Sequence, residues 1–217
     1  MYPKGRAWIE LNEENLKANV EELGRIIGPE GRIMAAVKAN AYGHGATQVA
    51  GILRQCGVRD FCVASLTEGV ELRRAGIGGQ ILILGYTHPC ELAEAAAYDM
   101  TQTVVDSAYA RELERFGQPI KVHIGIDTGM HRLGERFERI EDILDMWKIP
   151  NLQITGVFSH LCVADGTSAG DREYTLHQIA GFNRVVEQLH RAGITGFAAH
   201  LLSLSLIHIY PSGENPT

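Results

Sequence analysis

The sequence alternates between short apolar runs and longer stretches whose apolar residues recur at helical spacing. The apolar runs are rich in valine and isoleucine and do not alternate with polar residues, which is typical of strands buried on both faces of a parallel sheet. They occupy residues 32–37, 61–64, 81–84, 103–105, 121–126, 153–159 and 196–202. Because parallel strands need crossover connections, this pattern predicts repeated right-handed β–α–β units.

The stretches between these runs carry the apolar stripes of amphipathic helices. Four such stripes occupy residues 16–27, 46–53, 137–147 and 179–189. Ser65, followed three residues later by Glu68, predicts a capping box at the start of a further helix. Helix ends are predicted at four glycines, because glycine readily adopts the left-handed conformation that stops a helix. These glycines are Gly57, Gly76, Gly117 and Gly193.

Seven predicted strands leave two architectures open, a doubly wound open sheet and a (β/α)8 barrel with one strand unaccounted for. No GxGxxG sequence follows the first strand, which disfavours a dinucleotide-binding open sheet. Lys38, Asp127 and His160 all follow the carboxyl ends of strands, where barrels place their functional groups. We therefore predict a (β/α)8 TIM-type barrel that is truncated before its eighth strand.

Composition narrows the partners and the compartment of the chain. A net charge of -6 disfavours nucleic acid and anionic membranes as partners. The four cysteines have no CxxC spacing, which indicates reduced thiols in a cytoplasmic protein and no metal site. The N-terminus lacks the apolar run of a signal peptide, and no apolar stretch reaches the roughly 20 residues that span a bilayer. We predict a cytoplasmic chain without membrane contact.

The segment AAVKANAYGHG, residues 35–45, places Lys38 at the end of the first strand. A lysine in this position commonly extends its stem along apolar surface and keeps its ammonium in water. Alternatively, a partly buried lysine can act as a nucleophile that forms a Schiff base. Spacing alone leaves both interpretations open.

The string AVKANAYGHG closely resembles the cofactor-lysine motif of alanine racemases, which are pyridoxal 5'-phosphate (PLP) enzymes with an N-terminal (β/α)8 barrel. The resemblance implies that Lys38 binds PLP covalently and acts as one of two catalytic bases. It also implies that Tyr42 donates a hydrogen bond to the phosphate of the cofactor. A Schiff-base lysine is therefore the favoured interpretation.

Further segments extend the resemblance over about residues 6–201. ILILGYTHP implies that Leu84 lines the cofactor pocket. DTGMHRLG implies that Arg132 contacts the phenolic oxygen of the cofactor and the carboxylate of the substrate, for which an arginine fork is well suited. VFSHLCVAD implies that His160 lies beside the pyridine ring. A helical pattern of the family, which we expect to be structural, is matched by Asp171, Thr175, Gln178 and Phe182.

The chain departs from the family pattern at Gly125, where many members carry a lysine that is often carbamylated. A glycine cannot supply the negative charge that helps to hold the arginine, so Arg132 must be oriented in another way. The glycine is similar to the variant found in serine/alanine racemases of the vancomycin-resistance type. This similarity suggests serine as a second substrate.

The second departure follows His200, where the family continues with an Asn-Ser pair that binds the phosphate. Ser203 stands in place of the asparagine and Leu204, which offers no hydrogen bond, in place of the serine. We retain only Ser203 as a predicted phosphate ligand. We predict that residues 1–201 form an incomplete N-terminal barrel domain, and that residues 202–217 are a disordered or artefactual tail foreign to the family. We further expect this chain to lack the family's C-terminal β domain, which supplies the catalytic tyrosine.

The resemblance implies an isomerase that interconverts L-alanine and D-alanine, a homodimer in its full-length form, which supplies D-alanine for peptidoglycan. Because one base is missing, we expect this chain to be inactive by itself. Two alternatives remain open, a serine/alanine racemase and a non-enzymatic PLP-binding protein made of a single barrel. Chain length favours the second alternative, but proteins of that kind lack the KANAYGHG and DTGM-x-R motifs.

Overall fold

The computed structural model describes residues 8–203 and 206–208. Its strands are β1 Met34–Ala36, β2 Asp60–Val63, β3 Ile81–Ile83, β4 Thr101–Val104, β5 Ile120–Asp127, β6 Glu135–Arg136, β7 Leu152–His160, β8 Ala198–Ser203 and β9 Leu206–His208. Its helices are α1 Glu13–Ile27, α2 Lys38–Tyr42, α3 Ala46–Gln55, α4 Leu66–Arg74, α5 Leu92–Ala97, α6 Ser107–Phe116, α7 Ile140–Met146 and α8 Ala169–Arg191. A 3₁₀ turn, Pro89–Glu91, precedes α5.

Seven strands form one parallel sheet in the order β1-β2-β3-β4-β5-β7-β8. Each of the seven predicted apolar runs becomes one of these strands, so the predicted β–α–β organisation is confirmed. The short strand β6, which the apolar pattern did not predict, pairs with the end of β5. β9 pairs with β8 in the antiparallel direction.

The strands pack against helices through two apolar cores. One core joins β1–β3 with α3, α4 and α5, and the other joins β4, β5, β7 and β8 with α6, α7 and α8. All three residues of β3 are buried, as expected for a strand covered on both faces. The predicted helix ends are also confirmed, because Gly57, Gly76, Gly117 and Gly193 lie within two residues of the ends of α3, α4, α6 and α8 and have positive φ.

The parallel sheet curves into a barrel that has one open side. Met34 of β1 and His200 of β8 come from opposite ends of the strand order, yet they line the same cavity. Among the described residues, β1 pairs only with β2, and β8 pairs with β7 and β9. The described residues thus supply seven parallel strands of a TIM-type barrel, of which β8 is the seventh. The prediction of a TIM-type barrel truncated before its eighth parallel strand is therefore confirmed.

A polar cluster lies inside the barrel toward the amino ends of the strands, where His123 is buried and His200 and Gln80 are half-buried. The Nδ1 atom of His123 lies 3.0 Å from Nε2 of His200, and Nε2 of His123 lies 3.0 Å from Nε2 of Gln80. Phe158 stacks on the ring of His200. At Gly156 an added Cβ would lie 2.6 Å from the His123 ring, so the position requires glycine. The side chains of His123, His200 and Gln80 are therefore linked by hydrogen bonds.

Candidate active site

Lys38 follows β1 directly and opens a left-handed helical turn. Val37, only 1% exposed, anchors the strand end in the core, while Lys38 is half-buried. Ala39, Asn40, Ala41 and Tyr42 have φ values of 51°, 53°, 52° and 55°. Left-handed helical geometry costs an L-residue roughly 1–2 kcal/mol. Such strain persists only where the surrounding structure imposes it, and it is concentrated at functional sites.

The remainder of the KANAYGHG segment explains how this turn is built. The N–H of Ala41 donates to the carbonyl of Val37 at 2.9 Å, and the N–H of Gly43 donates to the carbonyl of Ala39 at 3.1 Å. Asn40 Oδ1 accepts the N–H of Ala46 at 2.8 Å and so caps α3. Most of the motif is therefore a scaffold for the lysine.

Two further positions of the motif support the same geometry. Gly45 has a φ of 93°, and a Cβ there would lie 2.5 Å from Oε1 of Gln48. The ring nitrogen Nδ1 of His44 lies 2.8 Å from the carbonyl oxygen of Ala41. His44 thus contributes a hydrogen bond within the turn.

Glu68 is a residue of this site whose role the sequence did not reveal. Its carboxylate accepts the N–H of Ala39 at 2.9 Å through Oε1 and the N–H of Ala64 at 2.7 Å through Oε2. The predicted capping box is only half right, because Ser65 Oγ accepts the N–H of Glu68 at 3.4 Å but the carboxylate binds these other two groups. The spacing of Ser65 and Glu68 gave no indication of a partner as distant as Ala39.

Tyr42 and Leu84 lie at the same mouth of the barrel as Lys38. Tyr42 is 58% exposed at the end of the left-handed turn. Leu84 follows β3 and is half-buried, and its N–H donates to the carbonyl of Val63 at 2.8 Å. Both residues thus lie at the carboxyl ends of the strands, where barrel enzymes bind their ligands.

The DTGMHRLG segment forms a tight loop after β5, organised by the carboxylate of Asp127. Oδ1 accepts the N–H of Gly129 at 3.0 Å and the N–H of His131 at 2.9 Å, and Nδ1 of His131 lies 2.9 Å from Oδ2. Burial by itself raises the pKa of Asp127, but the hydrogen bonds from His131 and Gly129 outweigh it and lower the pKa below its usual value. The carboxylate therefore remains charged and holds the loop.

Two glycines allow this loop to fold back closely on its surroundings. Gly134 has a φ of 113°, and a Cβ there would lie 2.7 Å from the backbone nitrogen of Asp127. Gly129 has a φ of 138°, and a Cβ there would lie 2.6 Å from the hydroxyl of Tyr174, which donates to the carbonyl of Gly129 at 2.8 Å. The loop requires glycine at both positions.

Arg132 and His160 line one cleft between the ends of β5 and β7. Gly125 and Ser159 are part of the same cleft. A Cβ at Gly125 would lie 3.4 Å from both the Cα of Gly134 and the carbonyl oxygen of Val104. The floor of the cleft at Gly125 is therefore backbone, and no side chain at this position orients Arg132.

A buried network of polar side chains ties the loop after β5 to the loop after β7. Oγ1 of Thr128 lies 2.8 Å from Oγ of Ser159. Nε2 of Gln178, a residue with no exposed surface, donates to Oγ1 of Thr128 at 3.4 Å and to the carbonyl of His160 at 3.2 Å. Its Oε1 accepts the N–H of Cys162 at 3.1 Å. The structural role expected for Gln178 is confirmed.

The predicted site residues thus occupy two sides of one mouth, with Lys38 and Tyr42 near β1 and Arg132 and His160 near β5 and β7. Within residues 8–201, the side chains of Lys38, Tyr42 and Arg132 form no hydrogen bond and no ion pair with one another or with other residues. Three polar groups are therefore available to a ligand. Ser203 contributes backbone to β8, and its side chain lies outside the described residues.

The described part of the chain contains neither a metal-binding cluster nor a membrane-spanning helix. Residues 8–203 and 206–208 contain no cluster of three or more His, Cys, Asp or Glu side chains suited to a metal ion. None of the helices in these ranges is both long enough and apolar enough to cross a bilayer.

Comparison with known proteins identifies the family of this site. Residues 11–205 match the family model for the alanine racemase N-terminal domain. The chain belongs to the alanine racemase family. Among curated relatives, it is 40% identical over 209 residues to a serine/alanine racemase of Enterococcus gallinarum, a match that covers 96% of this chain and 30% of the relative. It is also 40% identical over 211 residues to an alanine racemase of Carboxydothermus hydrogenoformans, which covers 95% of this chain and 56% of the relative.

Solved structures of alanine racemases share the fold. That of Clostridium difficile superposes with a TM-score of 0.86 at 30% identity and covers 94% of this chain and 57% of the solved chain. That of Bacillus anthracis, solved with bound L-Ala-P, has a TM-score of 0.80 at 31% identity and covers 89% of this chain and 51% of the solved chain. This chain therefore spans about half the length of these alanine racemases.

Proposed function

We propose that the whole protein interconverts L-alanine and D-alanine with PLP bound covalently to Lys38. The observation that carries this proposal is the strained left-handed turn from Ala39 to Tyr42, which displays Lys38 at the carboxyl ends of the strands. The amine forms no hydrogen bond or ion pair within residues 8–201. Strain at a functional residue is tolerated when the geometry serves binding or chemistry.

The residues around the mouth fit an anionic cofactor and an amino-acid substrate. Lys38 and Arg132 supply positive charge, and the exposed hydroxyl of Tyr42 can donate a hydrogen bond to a phosphate. Leu84 offers an apolar surface to the ring, and His160 lies in the same cleft as Arg132. When it is bound, PLP delocalises the negative charge that remains on Cα after the α-proton has left.

The roles of the protein side chains follow from their charge and position. Lys38 removes or returns the α-proton on one face of the substrate. The guanidinium of Arg132 holds the carboxylate through two parallel hydrogen bonds, which fixes the orientation of the substrate. Inversion at Cα also needs a base on the opposite face. The family resemblance assigns that base to a tyrosine of the C-terminal β domain, and this assignment stays a prediction.

A serine/alanine racemase is a second candidate, favoured by Gly125. This residue leaves only backbone at the floor of the Arg132 cleft. The identity to the serine/alanine racemase relative, 40%, equals that to an alanine racemase relative. The comparisons thus support a small amino acid as substrate. The homodimeric state, the cytoplasmic location, the supply of D-alanine for peptidoglycan and the foreign origin of residues 202–217 stay predictions.

Covalent trapping of PLP tests the assignment of Lys38. The chain is incubated with PLP, whose aldehyde condenses with an amine and releases water, and borohydride then reduces the resulting bond to a stable amine. Peptide mass spectrometry should find the label on Lys38 in the wild type and no label at this position in Lys38→Ala. Lys121→Ala is the matched control, because Lys121 lies at the opposite end of the strands, 2.6 Å from Asp99. Equal total labelling of all three proteins would refute the proposal.

Activity of the whole protein separates a racemase from a non-enzymatic PLP-binding barrel. In deuterated water a racemase exchanges the α-hydrogen of alanine for deuterium and produces both enantiomers. A binding protein does neither, even when Lys38 is fully labelled. Parallel reactions with L-serine distinguish the two candidate substrates.

A further inference from the structure

We infer that Glu68 is a positioning residue for the cofactor lysine, because its carboxylate binds both the backbone that follows β1 and the backbone that follows β2. We call this pair of hydrogen bonds the clamp. The inference rests on the proposed function of Lys38. Glu68 touches neither substrate nor cofactor in this proposal. It acts through Ala39, the residue that follows Lys38.

The clamp consists of two hydrogen bonds to one carboxylate. Oε1 accepts the N–H of Ala39 at 2.9 Å, and Oε2 accepts the N–H of Ala64 at 2.7 Å. Ala39 begins the left-handed turn after β1, whereas Ala64 follows β2 directly. Neither N–H has another partner within residues 8–201. Hydrogen bonds to a charged acceptor are about twice as strong as those between neutral groups.

The position of Glu68 itself is fixed by α4. Glu68 lies in the first turn of this helix, where Ser65 Oγ accepts its N–H. A carboxylate in the first turn also interacts favourably with the helix dipole. Helix α4 packs in the same apolar core as β1–β3 through Leu66 and Val70. A rigid element therefore carries the carboxylate that fixes the start of the turn.

The left-handed turn makes such a clamp necessary. The hydrogen bonds within the turn, such as Ala41 to Val37 and Gly43 to Ala39, are local contacts that a relaxed turn could replace. Glu68 is 29 residues distant from Ala39 in sequence, so its hydrogen bond ties the strained segment to the body of the barrel. Loss of the clamp would let the first residues of the turn relax and would displace the amine of Lys38.

The test compares Glu68→Gln with the wild type. Glutamine has nearly the same shape, but only one of its two terminal atoms can accept a hydrogen bond, so one of the two N–H groups loses its partner. We expect the affinity for PLP, measured by its absorbance change on covalent attachment, to fall about tenfold. We also expect faster hydrogen–deuterium exchange of the Ala39 and Ala64 amides, measured by NMR without cofactor, with unchanged exchange in α8.

Two further variants test whether the effect depends on the geometry of the Glu68 carboxylate, on its charge or on the stability of α4. Glu71→Gln removes a carboxylate from an exposed position of the same helix and should leave both readouts unchanged. Glu68→Asp keeps the charge and the first-turn carboxylate but is one methylene too short to bridge both amides. It should lose affinity for PLP as Glu68→Gln does, whereas a purely electrostatic role predicts wild-type affinity.

The outcomes distinguish this inference from the proposed function. If PLP labels Lys38 in the wild type, and Glu68→Gln shows equal affinity and unchanged amide exchange, the clamp is refuted and the function of Lys38 stands. If the wild type does not bind PLP at Lys38, the proposed function fails. The exchange of Ala39 and Ala64 in cofactor-free protein then still decides whether Glu68 holds the turn.

Discussion

The two ends of the barrel strands differ in how their polar side chains are hydrogen-bonded. At the amino ends, His123, His200 and Gln80 are hydrogen-bonded to one another inside the barrel. At the carboxyl ends, Lys38 and Arg132 form no hydrogen bond or ion pair within residues 8–201. The amino-end cluster thus satisfies polar groups internally, whereas the carboxyl ends combine an internal network around Gln178 with two cationic side chains that stay unpaired among these residues.

This difference shows why cavity size is a poor guide to function here. A large cavity opens at the amino ends, where Arg32 lies 3.9 Å from Asp60 and Lys121 lies 2.6 Å from Asp99. These four charged side chains already form ion pairs. The cleft that contains Arg132 and His160 is much smaller. Unpaired polar groups beside strained backbone therefore identify the candidate site better than volume does.

We expect acid to cause the largest loss of stability, through the histidines at the amino ends of the strands. Burial, followed by the charges of His200 and Arg32, lowers the pKa of His123 to about 3, and burial lowers the pKa of His200 to about 4. The unfolded chain binds these protons near pH 6.5, so the stabilisation is complete above that pH and is lost as the pH falls toward 4. We expect the free energy of unfolding in urea to fall by about 5 kcal/mol between pH 7 and pH 4.5.

A matched pair of variants assigns this loss to the buried histidines. His123→Gln keeps a polar side chain inside the barrel but removes a titrating group, so its unfolding free energy should depend less on pH. His177→Gln, at an exposed position of α8, should behave as the wild type does. An equal pH dependence in all three proteins would show that the histidines at the amino ends do not cause the loss of stability in acid.

Replacement of the buried Gln178 should cause a smaller loss of stability than acid does. This loss should arise at the carboxyl ends of the strands. Gln178→Leu leaves the N–H of Cys162 without its acceptor and removes one hydrogen bond to the carbonyl of His160. Buried polar groups without partners cost about 1–3 kcal/mol each, so we expect a loss of about 2 kcal/mol in unfolding free energy. Gln188→Leu, a half-buried position of the same helix, should change it by less than about 0.5 kcal/mol. Equal losses would show that the network does not hold the two loops together.

Loss of the Tyr42 hydroxyl should have the smallest effect on stability and a clear effect on binding. Tyr42→Phe should change the unfolding free energy by less than about 0.5 kcal/mol, because the hydroxyl is exposed and has no hydrogen-bond partner within residues 8–201. The affinity for PLP should fall about fivefold, as expected for one lost hydrogen bond. The control is Tyr86→Phe, since the Tyr86 hydroxyl already donates to Glu112 at 3.2 Å. If both variants bind PLP equally well, Tyr42 does not contact the phosphate.

Local sequence patterns predicted the parallel strands, the helix ends and the lysine at the mouth of the barrel. Strand β3, for instance, is an uninterrupted apolar run, and Gly117 stops α6 with a φ of 71°. The short strand β6 was missed because Glu135 and Arg136 have no apolar pattern, and only their pairing with β5 makes them a strand. Motif resemblance led to Arg132, but it could not show that Arg132 and His160 share a cleft.

Spacing along the chain is enough to predict the alternation of strands and helices and the residues of the lysine motif. The folded structure was needed to show which carboxylate holds that motif and which polar groups remain unpaired among the described residues. Glu68 reaches Ala39 across 29 residues, and His123 reaches His200 across 77. Such contacts arise when the curved sheet brings distant strand ends together, so no local pattern encodes them.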